Sequence, residues 1–444
     1  MSSSARVLVI NDDPEQAGVL TRKLHAQGYE NVPLKAKMDA LDQVQNTKPD
    51  VVIIAGGREM SSLNLTKALK GRSETAGVPV ILITRSENES ERIDGLRAGA
   101  DACLPFPYFD TQLFGRIDSL TRLGTMQEEL RRRSNTALKY GIEHHTPAAP
   151  LNKSPDEANF LLVGPAHAQI EMIEQSLCSL GALTHAQNTG IAISYLERRS
   201  YDAIIVNIPH GQEAGFFQFM EDVRRNARMF NIPIICLMEA SSASHFTGAY
   251  AAGAADVIRP PMDMADFNAR VDVLIRQQRT RNSMIAAYQQ TRNETVSDAL
   301  TGLYNHGFLM EHLSGLVADS HAQNRSLSLA IFTLDNLSEV NSQHGYRVGD
   351  KILGQLGIMI SNLVRGEDLP ARYSGRRFAL LMPETRLAPA ELVAYRIGSV
   401  INFTEIMEGE SMVPIRAHVA TGVASLVPEM TAEALIKAAI ANSR

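Results

Sequence analysis

The chain has 444 residues, 44% apolar and 21% charged, with a net charge of −6 at pH 7. That length is too great for one core and suits three domains of ordinary size. The acidic balance excludes a general nucleic-acid binder, which needs a basic face, so DNA is not an expected partner. No apolar run reaches the ~20 residues needed to cross a bilayer, so membrane insertion is not expected either. Cys103, Cys178 and Cys236 are scattered in or near apolar stretches and read as reduced thiols. No Cys/His cluster has zinc spacing, and no signal peptide precedes the first apolar strand; the expected compartment is the cytoplasm.

The predicted elements begin with short apolar runs at Val7–Ile10, Asp50–Ile54 and Val78–Thr84, followed by AGADACLPFPYFDTQLFGRIDSL near position 100. A second series answers it: Phe160–Val163, Asp202–Val206, Ile232–Leu237, then AGAADVIRPPMDMADFNARVDVL near position 250. Gly99 matches Gly253, Pro107 matches Pro261, and Arg116 and Asp118 match Arg270 and Asp272 without a gap. Runs that are apolar throughout suit strands buried on both faces, and alternation with helices implies a parallel sheet. The fold class expected is therefore α/β, with two doubly wound, flavodoxin-like domains at 1–125 and 158–280. Residues 126–157 read as a helix end and linker, aperiodic from Ser134 to Glu157. A helix from about Ala265 to Thr295 leads through a stalk at 281–297 into a third domain at 298–444. There, strand candidates at Leu327–Thr333, Ala371–Tyr373, Phe378–Met382 and Arg416–Ala420 alternate with amphipathic helices, an α+β pattern with a mostly antiparallel sheet.

Three stretches carry a resemblance: DALTGLYN from Asp298, NSQHGYRVGD at Asn341–Asp350, and RGEDLPARYSGRRF at Arg365–Phe378. With the paired repeats they resemble the PleD type of response regulator, two receiver domains followed by a GGDEF (nucleotidyl-cyclase-like) domain. The resemblance implies a phosphorylatable switch feeding an enzyme that joins two GTP molecules into cyclic di-GMP across a homodimer. Several positions depart from that pattern.

A working receiver phosphorylates a carboxylate after its third strand, beside acidic Mg²⁺ ligands and a Lys. The acceptor position aligns with Ala55 in the first repeat and Asn207 in the second, so no phosphoacceptor is expected. The metal pair aligns with Asn11 and Asp12, then with Gly164 and Pro165. The Lys positions align with Phe106 and Pro260, and Thr84 alone matches the family.

In the third domain the first metal-ligand position is Thr333, and the acidic pair of the signature loop Ser374-Gly-Arg-Arg-Phe378 is replaced by Arg376 and Arg377. A guanidinium ~4 Å from a divalent cation repels it by up to roughly 8 kcal/mol at an effective dielectric constant of ~20. The catalytic and metal sites are therefore expected to be lost, with no cofactor required and no enzyme activity. Asn341 and Asp350 align with the amide and carboxylate that read a guanine edge; the other reading is that they cap helices. The resemblance also implies a further basic helix beyond Ile440-Ala-Asn-Ser-Arg444.

Arg365-Gly-Glu-Asp368 stands where the family places its inhibitory RxxD site. A guanine offers paired acceptors to an arginine fork and N–H donors to a carboxylate. The expectation is an effector that binds cyclic di-GMP through Arg365 and Asp368, supported by Arg396. Its output would be contacts with other proteins, within a homodimer. Resemblance further implies a cell-pole location and, as partners, a protease adaptor and cell-cycle factors. The rival readings are a residual diguanylate cyclase and a nucleotide-independent scaffold.

Overall fold

The computed structural model describes residues 5–443 apart from 12, 35–39, 56–61, 85–88, 143–157, 166–167, 227–228, 230, 240–242, 291–294 and 409–412. It divides into two compact units, one of Ala5–Gly124 with Ala149–Ser283, the other of Thr125–Ala148 with Met284–Arg444.

The first unit holds two parallel sheets. One is formed by β1 (Arg6–Asn11), β2 (Glu30–Leu34), β3 (Val51–Ala55), β4 (Val80–Thr84) and β5 (Ala102–Pro105), in the order β2-β1-β3-β4-β5. The other contains β6 (Ala158–Val163), β7 (Gly181–Ala186), β8 (Ala203–Ile208), β9 (Ile234–Met238) and β10 (Asp256–Ile258), in the equivalent order β7-β6-β8-β9-β10. Every residue of β3, β4, β8 and β9 is buried, as central strands covered on both faces require. Local chemistry starts the helices: Asp13 accepts from the amides of Glu15 and Gln16 ahead of Pro14, and Asn188 accepts from Ile191. The fold is thus α/β, doubly wound, as the repeat implied.

The second unit is built on β11 (Leu327–Leu334), β12 (Leu369–Ser374), β13 (Arg377–Pro383) and β16 (Val419–Ser425), ordered β12-β13-β11-β16 and antiparallel throughout. A separate hairpin pairs β14 (Glu405–Glu408) with β15 (Val413–Arg416). The last strand of the sheet is not Arg416–Ala420. Arg416 ends β15, and Asn336 bridges the gap to β16: its amide donates to Arg416 O at 2.9 Å and its side-chain oxygen accepts from His418 N at 3.0 Å. Gly422 lets the helix Ala432–Ala441 close on β16, since a β-carbon there would lie 2.1 Å from Ala439 O.

The helix Asp110–Leu138 runs beyond Ser134, into the stretch expected to be linker. Its buried stripe there is Met126, Glu129, Arg133, Thr136 and Ala137, at helical spacing but mostly polar. Arg133 pairs with Glu129 one turn earlier, and Ala137 joins the core formed by Phe308, Leu313 and Leu369. An apolar-periodicity test does not register such a stripe. The helix Met264–Gln290 takes the chain toward residue 291.

Candidate functional site

The hairpin β12–β13 carries the signature loop. Gly375 turns it at φ +30°. Arg372 braces it from one side, donating to Gly375 O at 2.9 and 3.2 Å while its Nη1 reaches both carboxylate oxygens of Asp298 at 3.0 and 3.1 Å. Asp298 also accepts from the amide and hydroxyl of Thr301. Burial pushes its carboxyl up, but these bonds and the Arg372 charge outweigh it and hold the group below its usual range. The Asp-Ala-Leu-Thr segment is therefore a clasp on the loop. Arg372 went unremarked in the sequence, because nothing local marks its partner 74 residues away.

Thr333, one residue before the end of β11, is buried and lies opposite Arg377 on one side and Ala420 on the other. Arg376 turns outward and donates to Asp335 O at 3.2 Å, with its guanidinium 3.9 Å from the Asp335 carboxylate. Arg377 Nε is buried without a hydrogen-bond partner among the described residues. A hydroxyl whose cross-strand neighbours are Arg377 and Ala420 does not fit a divalent cation, which takes oxygen donors, chiefly carboxylates. Among the described residues no group of three or more His, Cys, Asp or Glu could hold a metal ion.

Asn341 lies in the helix Leu337–His344 and Asp350 in the helix Tyr346–Leu363, joined at Gly345 with φ +86°. Asp350 is exposed, and Asn341 Oδ1 is buried with no hydrogen-bond partner among the described residues. Neither residue is a cap: Gly345 holds that position and no side chain bonds there. The capping alternative is thereby removed. Gly349 packs against the Asn341 amide, which brings Asn341 next to the residue preceding Asp350.

Arg365–Asp368 forms the turn between the helix Tyr346–Leu363 and β12. Its ends close on each other: Asp368 N donates to Arg365 O at 3.2 Å, and Arg365 N donates to Asp368 Oδ2 at 3.1 Å. Asp368 is 2% exposed. Burial and then the Glu367 charge push its carboxyl up to about 7, against the pull of Arg365, its amide, and Arg133. Arg396, on the helix Leu387–Phe403, donates to Leu363 O at 3.2 Å. Loss of surrounding water and then the neighbouring Arg365 charge hold its guanidinium below the usual range. Arg365, Asp368 and Arg396 thus meet at one place, where the Glu367 charge also acts. Arg133, which also reaches this turn, was not singled out in the sequence.

The receiver positions lie in the other unit. Ala55 ends β3 opposite Asn11, which accepts from Asp13 N at 2.9 Å; Asp12 falls outside the described residues. Thr84 is buried at the end of β4 and Phe106 is half exposed. Asn207, nearly buried in β8, donates to Pro165 O at 3.4 Å, beside Gly164.

Residues 295–442 match the family model "Diguanylate cyclase, GGDEF domain", and residues 7–118 match "Response regulator receiver domain". Response regulator PleD of Caulobacter vibrioides is 26% identical over 444 residues, covering 98% of this chain and 95% of its own. Diguanylate cyclase DgcS of Shewanella oneidensis is 32% identical over 115 residues, 26% of this chain and 38% of its own. Among solved structures, the GGDEF domain of DgcB from Caulobacter crescentus in complex with c-di-GMP aligns with a TM-score of 0.33 at 20% identity, over 34% of this chain and 86% of that one. The chain therefore combines a response-regulator receiver with a GGDEF domain and is PleD-like along its whole length. The expectation of no enzyme activity is corrected: the GGDEF match spans the third domain, and a relative matching part of this chain is a diguanylate cyclase by name. Among the described residues no helix is long and apolar enough to cross a membrane.

Proposed function

We propose that this chain is a cyclic di-GMP-responsive regulator, in which a GGDEF domain of the cyclase family binds the dinucleotide at the turn Arg365–Asp368. The observation that carries the reading is the cluster of charged side chains gathered at that turn. Arg365 and Arg396 lie close enough to repel each other, and the buried carboxyls of Asp368 and Glu367 share the turn and repel each other in the same way. Neither arginine forms a side-chain ion pair among the described residues. A ligand with two phosphates and guanine acceptors satisfies both guanidiniums, and a carboxylate accepts from the guanine N–H groups. Binding at this turn shifts the protein between states that differ in contacts with other proteins. A homodimer, a cell-pole location and a role as adaptor in regulated proteolysis belong to the same proposal. Calorimetric titration of cyclic di-GMP into the full chain, beside Arg365→Ala, tests the site. Loss of a charge-assisted contact costs roughly 1.5–3 kcal/mol, a tenfold or greater loss of affinity. No binding by the parent removes the proposal.

A second reading, turnover of GTP, is favoured by the family match and by Asn341 Oδ1, a buried acceptor without a partner among the described residues. Chromatography after incubation with GTP and Mg²⁺ decides it: a cyclic di-GMP peak supports turnover, and unchanged GTP removes it.

A further inference from the structure

The turn Arg365–Asp368 is gripped from outside by a residue far away in sequence. Arg133, 3% exposed on the helix Asp110–Leu138, donates through Nη2 to Glu367 O at 2.7 Å and through Nη1 to Gly366 O at 3.3 Å. Its Nε donates to Glu129 Oε1 at 2.7 Å, and the same oxygen meets His312 Nε2 at 2.8 Å. His312 Nδ1 in turn meets the Thr136 hydroxyl at 3.0 Å. One planar fork thus holds the carbonyls of both middle residues of the turn, and its own plane is fixed by a buried carboxylate that is fixed by a histidine. In such a water-excluded network each bond is stronger than at the surface.

We propose that Arg133 is a positioning residue of the cyclic di-GMP site: it locks the Gly366 and Glu367 peptides so that Arg365 and Asp368 face the ligand together. This rests on the reading of that turn as the dinucleotide site. Because helix and turn share these bonds, ligand binding and the docking of residues 125–138 are linked, each strengthening the other. A lysine keeps the charge, but its donors all leave one nitrogen, so it does not reproduce the flat guanidinium that reaches Glu129 and both carbonyls from three separate nitrogens.

Titrations of cyclic di-GMP into the full chain are compared for the parent, Arg133→Lys, Arg133→Met and Arg365→Ala. The expected result is a loss of about tenfold or more for Arg133→Met and a several-fold loss for Arg133→Lys despite its charge. Parental affinity in both Arg133 variants, with binding lost in Arg365→Ala, overturns the positioning role and leaves the site intact. No binding by the parent, or parental affinity in Arg365→Ala, overturns the site and the role together. Hydrogen exchange on the unaltered chain gives a readout that needs no variant to fold. On adding cyclic di-GMP, peptides covering Arg133 are expected to slow together with those covering 365–368. Slowing at 365–368 alone overturns the proposal.

Discussion

Gly349 packs so tightly under Asn341 that a β-carbon at 349 would lie 1.9 Å from Asn341 Oδ1. That distance is far inside van der Waals contact, and Asn341 is held in its helix, so the amide must move. Gly349→Ala is therefore expected to displace the Asn341 amide from its present position. Overpacking of this kind costs about 1–3 kcal/mol. The check is twofold: a lower melting temperature, and weaker stabilisation by GTP than in the parent. Equal stabilisation by GTP in both proteins would remove Asn341 from guanine recognition.

Asp368 makes the proposed site pH-dependent. Burial, then the Glu367 charge, push its carboxyl up to about 7. The ionised form accepts from guanine N–H groups through both oxygens and more strongly than the protonated one, so affinity for cyclic di-GMP is expected to rise by up to roughly tenfold between about pH 6 and pH 8. Stability runs the other way. The folded state holds this proton more tightly than the unfolded chain does, so the stabilisation is complete below about pH 4 and is lost as the pH rises through about 7. Asp368→Asn, which cannot titrate, is expected to flatten both profiles. An affinity independent of pH in the parent contradicts the assignment of Asp368 as the acceptor.

Much of the fold was legible because its central strands are apolar throughout and occur twice. A buried parallel strand has no polar face, so β3, β4, β8 and β9 stand out from the sequence, and the gapless match of Gly99 with Gly253 fixed the second series. Arg365, Asp368 and Arg396 were legible through their register with the signature loop. The residues that hold these groups were not. Arg133 lies 234 positions before Glu367, and Arg372 and Asp298 lie 74 positions apart; such pairings leave no period in a sequence. Polar burial also hid the end of the helix Asp110–Leu138, where the inward stripe is charged. Arg116 and Arg270 were visible as equivalent residues of the repeat, but not that both reach one carboxylate.

That carboxylate is Asp256. It is 1% exposed, and its Oδ2 accepts from Arg116 Nη2 at 2.9 Å and Arg270 Nη1 at 3.2 Å. Arg270 also pairs with Asp266, which pairs with Arg92. Burial pushes the Asp256 carboxyl up, but the two arginines outweigh it and hold it below the usual range. Asp256→Ala strips two buried guanidiniums of one partner and is expected to cost about 3–5 kcal/mol. Asp256→Asn keeps an acceptor and is expected to cost less. Urea unfolding followed in the first unit measures both, and a cost below about 1 kcal/mol for the alanine variant would show the network to be solvated.

Glu129 presents the same problem in the second unit. It is fully buried, Oε1 accepts from Arg133 and His312, and Oε2 has no hydrogen-bond partner among the described residues. Burial acts to raise its carboxyl, but the charges and bonds of His312 and Arg133 hold it below the usual range. The sign follows from linkage: its contribution to stability is present above the unfolded value of about 4.3 and is lost as the pH falls below it. His312→Phe keeps an aromatic ring stacked on Phe308 and removes the donor to Glu129. The expected loss is about 1–3 kcal/mol near neutral pH. With less to hold the proton off, the variant is also expected to unfold at a higher pH than the parent during acid titration. Identical acid midpoints for the two proteins would mean that Arg133 alone keeps Glu129 ionised.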